Sequence, residues 1–242
     1  MRCPFLGEFM GTLMLVLLGD GVNAAVLLKR SKAEGSGWMV ITTGWMLAVL
    51  CGIFTAQLFG SADAHLNPAI TLASAAQSGS FGHVAGFALA QMLGAFTGAV
   101  LVWLHYYPHW KITDDPELKR AVFCTGPAIR NPLTNFLSEV IGTAVLVLVA
   151  GAMSSKLVLT SGAAAGLSPW LVSCVVWGIG LSLGGTTGYA INPARDLGPR
   201  VAHALMPIAG KGSSDWGYAL IPILGPATGG ILAGLVLRWI GA

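Results

Sequence analysis

The chain has 242 residues, of which 55% are hydrophobic and only 10% charged, where a soluble domain carries roughly a quarter charged residues. That balance excludes water as the surrounding of most of its surface and places the chain in a bilayer. The net charge of +3 is spread over several loops without a basic stripe or interleaved aromatics, which excludes a nucleic-acid partner.

A helix needs about 20 apolar residues to cross ~30 Å of hydrocarbon. The first such run, Phe5 to Leu28, follows a single basic residue, Arg2, and exceeds the length of a signal core, so a retained span is expected. Further spans are expected at Trp38 to Phe59, Phe81 to His105, Leu133 to Met153, Pro169 to Leu183 and Trp216 to Ile240. The fifth is short unless it continues through Gly184 and Gly185. Two apolar segments, Pro68 to Gln77 and Pro193 to Met206, are too short to span and suit re-entrant half-helices. Glycine pairs at Gly7/Gly11, Gly94/Gly98, Gly180/Gly184, Gly225/Gly229 and Gly230/Gly234 put small residues on one helix face, which favours a tight bundle. Cys3, Cys51, Cys124 and Cys174 lack paired spacing and read as small hydrophobes, so no metal or cofactor is expected.

An internal repeat organises these segments. Phe5-Leu-Gly-Glu-Phe-Met-Gly-Thr-Leu returns as Phe136-Leu-Ser-Glu-Val-Ile-Gly-Thr-Ala, and His65-Leu-Asn-Pro-Ala-Ile returns as Ala190-Ile-Asn-Pro-Ala-Arg. The expected fold is all-α: six transmembrane helices and two re-entrant half-helices in one channel domain, residues 1–242, with repeats of about 1–110 and 131–242 joined by a loop over 106–131. Three spans per repeat is an odd number, so the second copy enters from the opposite face and the two half-helices start from opposite sides.

Asn67 and Asn192 then become N-caps, with Pro68 and Pro193 at the first helical position and Ala69 and Ala194 behind them. Two facing helix N-termini concentrate about half a positive charge each, which opposes cations and protons. Irregular backbone at membrane depth must be buried or line a wet cavity, so the segments before each Asn are expected to turn carbonyls to a pore. Glu8 and Glu139, one in each repeat, are expected to accept backbone N–H groups of those segments, with a proton relay as the competing role. Asp20 and Asn23 fit a polar vestibule or a helix-end hydrogen bond equally well.

The paired Asn-Pro-Ala boxes, six spans and duplicated Glu-x-x-Gly-Thr resemble the major intrinsic protein family of aquaporins over nearly the whole chain. Asp196, directly after Asn192-Pro193-Ala194-Arg195, is the form of its glycerol-conducting branch. The resemblance implies a selectivity filter of Trp45, Gly180, Tyr189 and Arg195, with structural support from Glu8, Glu139 and Asp196. It also implies pore-lining backbone at Asp63, Ala64, His65, Gly188 and Ala190. Arg195 supplies a fork of permanent donors, and Trp45 and Tyr189 an apolar corner for a polyol's carbons. Gly180 leaves room where water-selective relatives carry histidine.

Two features depart from the family. Its usual Ser-Gly-(Ala/Gly)-His gives way to Ser61-Ala62-Asp63-Ala64-His65, which counts two residues longer back to Trp45 and places Asp63 where glycine would turn more readily, so a reshaped first half-pore is expected. Tyr189 stands where glycerol channels carry phenylalanine, and its hydroxyl is expected to favour a more polar solute.

The function expected is passive diffusion of glycerol and similar neutral solutes with some water, with neutral lactic acid as the alternative solute. A proton-coupled transporter rests only on Glu8 and Glu139, a non-conducting structural protein requires a blocked pore, and no nucleophile, base and orienter can be assembled for an enzyme. The family implies a homotetramer in the plasma membrane with both termini cytoplasmic. Lys29, Arg30, Lys32, Lys111, Lys119, Arg120 and Arg130 instead weight the opposite orientation by the positive-inside count.

Overall fold

The computed structural model describes residues 2–161, 164 and 166–242, and these form ten helices joined by turns, with no strand among the described residues. Six helices occupy the expected spans: α1 (Pro4–Leu27), α2 (Trp38–Phe59), α4 (Val84–His105), α7 (Pro132–Ser154), α8 (Leu167–Ser182) and α10 (Ile221–Ile240). The half-helices are α3 (Pro68–Ser78) and α9 (Pro193–Leu205). Proline stands in the first turn of α1, α3, α7 and α9, where its missing N–H has no intrahelical partner to lose.

Several boundaries differ from expectation. α8 has 16 residues and reaches only about 24 Å. It ends at Ser182, and the chain passes Gly184 and Gly185 in turns. α10 starts at Ile221, not Trp216, because residues 216–220 form turns and Pro222 lies in the first helical turn. α4 starts at Val84, after the turns at Gly82 and His83. The connector expected as a loop contains two short helices, α5 (Tyr107–Ile112) and α6 (Pro116–Phe123). The Asp115 carboxylate accepts from Glu117 N at 2.7 Å and caps α6, whose buried Val122 and Phe123 face inward while α6 packs on α1 and α9.

The packing exchanges the half-helices between repeats. α1 packs on α2 and α4, and α7 on α8 and α10, yet α3 lies on α10 and α9 lies on α4. Neither three-span half therefore encloses its own half-helix, and the bundle is an inverted 3+3 assembly. Glycine permits the close crossings: a Cβ on Gly98 of α4 would lie 2.6 Å from the Leu13 carbonyl of α1, and one on Gly230 of α10 would lie 2.5 Å from the Ala69 carbonyl of α3. Polarity is reversed relative to a soluble protein. Leu58, Leu89 and Ile141 face outward, while Glu8, Gln91, Glu139 and Arg200 are fully buried.

Candidate pore and its constriction

The two Asn-Pro-Ala boxes meet in the buried centre. Asn67 Oδ1 accepts from Ala69 N at 2.8 Å, and Asn192 Oδ1 accepts from Ala194 N at 3.0 Å and Arg195 N at 3.2 Å. Each amide also reaches across: Asn67 Nδ2 donates to the Ile191 carbonyl and Asn192 Nδ2 to the Leu66 carbonyl, both at 2.8 Å. The N-termini of α3 and α9 are thus pinned to one another, and their positive ends share one point.

The two segments before these boxes carry the same backbone distortion in the same register. Ala64 and Leu66 have φ of 47° and 53°, and Tyr189 and Ile191 have φ of 38° and 43°. Non-glycine residues enter the left-handed region at a cost of about 1–2 kcal/mol each, so four of them need an external hold. Two carboxylates provide it at corresponding atoms. Glu8 Oε1 accepts from His65 N at 2.9 Å and Oε2 from Leu66 N at 2.7 Å, while Glu139 Oε1 accepts from Ala190 N at 3.0 Å and Oε2 from Ile191 N at 2.8 Å. Glu8 receives two more bonds, from Ser61 Oγ at 2.6 Å and Gln91 Nε2 at 2.8 Å. Both acids are therefore spent on loop peptides.

The altered motif before the first box changes the backbone at one position and leaves the left-handed positions where the second copy has them. Asp63 is exposed and is not among the residues of positive φ, whereas Gly188, its counterpart, has φ of 78°. The left-handed positions fall one and three residues before the Asn, where neither copy has glycine. His65 turns its ring to Phe87, edge-on at 5.5 Å, with Nδ1 3.2 Å from Thr71 Oγ1.

Trp45, Gly180, Tyr189 and Arg195 come together although they arise from α2, α8, the second pore loop and α9. The Arg195 guanidinium lies 4.0 Å over the Trp45 ring. None of its side-chain donors is spent on a protein acceptor among the described residues. Gly180 makes space that Tyr189 takes: a Cβ there would stand 2.9 Å from Tyr189 Cζ, and one on Gly184 would stand 2.6 Å from Tyr189 Cδ1. Trp38 completes this wall, edge-on to Tyr189 at 5.8 Å and donating its indole N–H to the Gly180 carbonyl at 3.0 Å. The Tyr189 hydroxyl points into that packing, is buried, and has no hydrogen-bond partner among the described residues. The oxygen is closed off from the cavity that the residue lines, so this geometry lends no support to the expectation that it recognises a more polar solute.

Asp196 anchors the far side. Its carboxylate accepts from Thr125 N at 2.8 Å, Thr125 Oγ1 at 2.6 Å, Arg200 Nε at 2.7 Å and Arg200 Nη2 at 2.8 Å. Arg200 also donates to the carbonyls of Thr125, Ser214 and Asp215. Sequence reading missed Arg200 and Thr125. The one signal was the Asp196/Arg200 spacing of four on a helix. Asp20 is fully buried on α1, and neither of its carboxyl oxygens has a partner among the described residues.

A cavity of about 770 Å³ connects Trp45 and Arg195 past Tyr189 and both asparagines to His65. No group of three or more His, Cys, Asp or Glu suited to a metal occurs among the described residues.

A polar line through an apolar multi-pass bundle, interrupted by two opposed helix N-termini, defines a membrane channel of the inverted-repeat class. The family model for the major intrinsic protein matches residues 3–237, and the chain belongs to that family. A probable glycerol uptake facilitator protein of Thermotoga maritima is 54% identical over 98% of both chains. Glycerol uptake facilitator protein 3 of Lactiplantibacillus plantarum is 52% identical over 96% of this chain and 95% of its own. A D/L-lactic acid transporter of that organism is 37% identical, over 94% and 93% respectively. The aquaglyceroporin of Plasmodium falciparum superposes with a TM-score of 0.84 at 26% identity, covering 98% of this chain and 96% of the other. The protein is a channel of this family and not an enzyme.

Proposed function

We propose that this protein is a passive channel for glycerol and similar small neutral solutes, carrying some water and excluding ions and protons. The observation that carries this reading is the pairing of the Arg195 guanidinium with the Trp45 face at 4.0 Å in one buried constriction, opposite the Tyr189 wall. Such a constriction offers donors along one edge and aromatic carbon along another, which matches a polyol with hydroxyls on one side and C–H groups on the other. Trp45, Gly180, Tyr189 and Arg195 act as the selectivity filter. Asn67 and Asn192 orient solute hydroxyls at the paired boxes, with Pro68, Ala69, Pro193 and Ala194 forming the helix starts behind them. The backbone of Asp63, Ala64, His65, Gly188 and Ala190 lines the lumen, and Glu8, Glu139 and Asp196 hold that backbone in place.

Glycerol is favoured over neutral lactic acid because the relatives named for glycerol stand at 54% and 52% identity and the one named for lactic acid at 37%. The proposal extends to a single channel domain over residues 1–242, with repeats of about 1–110 and 131–242. It further places the protein in the plasma membrane as a homotetramer with cytoplasmic termini, leaving the basic segments around Lys29 and Lys119 on the outer side.

Stopped-flow light scattering on proteoliposomes challenged with glycerol, and with lactic acid at low and neutral pH, tests the solute. Fast reswelling in glycerol is expected. Rapid entry of lactic acid at low pH without glycerol reswelling would move the assignment to the acid, and shrinkage without reswelling in both would overturn the solute reading.

A further inference from the structure

Trp45 is held on three sides, and one of them involves a side chain that the pore itself does not use. Its face lies under the Arg195 guanidinium, its ring atoms pack where a Cβ on Gly19 would stand 2.5 Å from Cη2, and its indole N–H donates to Asn23 Oδ1 at 3.1 Å. Gly19 and Asn23 are four residues apart on α1, so one helical turn presents a flat seat and an acceptor together. The other end of the Asn23 amide is engaged as well: Nδ2 donates at 3.1 Å to the carbonyl of Val122 in the last turn of α6. That carbonyl is one of the four at a helix C-terminus without an intrahelical partner. An indole N–H can only donate and a carbonyl can only accept, so the two neighbours fix which way the amide faces. Both bonds are buried.

We infer that Asn23 is a positioning residue of the pore: by accepting the Trp45 indole N–H and holding it to α6, it keeps the aromatic face under Arg195 and keeps that N–H from solutes. The inference rests on the reading of Trp45 as a filter residue. Three residues beyond Val122, Thr125 bonds Asp196, the neighbour of Arg195. The connector between the repeats therefore reaches both sides of the constriction, through Asn23 to Trp45 and through Thr125 to the base of Arg195. Without Asn23 the indole gains a free donor and loses the edge restraint that sets its tilt. The lumen becomes more polar and less sharply bounded, which favours larger polyols relative to glycerol.

The test compares glycerol and meso-erythritol reswelling rates in proteoliposomes of wild type, Asn23→Leu, Asn23→Ser, Trp45→Phe and Trp45→Phe/Asn23→Leu, each checked for assembly by size-exclusion elution. The glycerol-to-erythritol ratio is expected to fall about threefold or more in both Asn23 variants, the scale of one lost hydrogen bond. It is expected to be the same in Trp45→Phe with and without Asn23→Leu, since phenylalanine has no N–H to hold. A purely structural role for Asn23 would lower both rates together and leave the ratio fixed. An unchanged ratio in the Asn23 variants with an altered one in Trp45→Phe would overturn the positioning role alone. An unchanged ratio in Trp45→Phe would overturn the filter reading of Trp45 and the role of Asn23 with it. Asn23→Ser, the smaller change, supplies the result if Asn23→Leu does not assemble.

Discussion

Asn67 and Asn192 hold each other's loops: the amide of each donates at 2.8 Å to the carbonyl immediately preceding the other. A carboxylate at either place still caps its own helix but has no Nδ2 donor, and one of its oxygens would face the opposing carbonyl. Its charge would also offset the positive potential of two helix ends. Asn192→Asp is expected to weaken the assembled protein by about 1–3 kcal/mol and to admit cations. Conductance across planar bilayers checks this, and a cation conductance equal to that of wild type would refute the electrostatic part.

Glu8 and Glu139 perform the same task with unequal numbers of partners. Glu8 accepts from two loop N–H groups, Ser61 and Gln91, whereas Glu139 accepts from the two corresponding loop N–H groups and from the Thr187 hydroxyl. Glutamine at either position turns an NH2 group toward a donor and leaves a buried N–H unmet. Each substitution is expected to cost on the order of 2–3 kcal/mol, with Glu8→Gln more damaging than Glu139→Gln. Thermal unfolding in detergent ranks the two. A reversed order would show that Ser61 and Gln91 add nothing.

Sequence reading reached the repeat, the half-helices and the paired asparagines because each depends on residues a few positions apart, and the duplication made every local signal count twice. The six spans fell within five residues of their observed ends for the same reason. What escaped it joins distant segments. The bond from Asn23 to Val122 spans 99 residues and that from Thr125 to Asp196 spans 71. No pattern along the chain announces such a pairing. The cap on α6 was local, in Asp115-Pro116-Glu117, but lay hidden in a polar connector. The burial of the Tyr189 hydroxyl follows from Gly180 and Gly184 on another helix and its following turn, and composition alone pointed the other way.

Arg200 and Asp196 form an ion pair with both side chains fully buried. Attraction between such charges is offset by the loss of their hydration, but removing one partner strands the other and costs about 3–5 kcal/mol. Arg200→Met is therefore expected to prevent assembly, and Asp196→Asn, which can keep one acceptor oxygen toward Thr125 and leaves Arg200 its three carbonyls, to be milder. Yield of folded protein by size-exclusion chromatography distinguishes them. Equal damage from both would place the main contribution in the pair rather than in the carbonyl contacts of Arg200.

Tyr189→Phe removes a buried hydroxyl that has no partner among the described residues. An unpaired hydroxyl gains nothing from burial, so its loss is expected to leave stability equal or raised by up to about 1 kcal/mol. The ratio of glycerol to water permeability is expected to remain within about twofold of wild type, a free-energy change below about 0.5 kcal/mol. Paired reswelling and osmotic shrinkage rates on one vesicle preparation check it. A larger shift would mean that the hydroxyl turns into the lumen during transport.

Gly180→Ala acts on the same ring from behind. Its added methyl would stand 2.9 Å from Tyr189 Cζ and 3.0 Å from the hydroxyl oxygen and from Thr42 Cγ2. These contacts are too short for the ring to stay, and Trp38, edge-on to Tyr189 and bonded to the Gly180 carbonyl, blocks retreat on its side. The ring is expected to shift toward the cavity that it lines together with Trp45 and Arg195, and to narrow it. Overpacking of this kind costs about 1–3 kcal/mol, so the protein is expected to fold. Glycerol, which needs the full width, is expected to slow about tenfold or more, equivalent to about 1.4 kcal/mol of added barrier, while water slows much less. Pairing Gly180→Ala with Tyr189→Leu, which removes the crowded ring, is expected to restore glycerol entry. Failure of that pair to restore it, with the channel still passing water, would show that the methyl blocks the lumen directly and that Tyr189 is not the wall that moves.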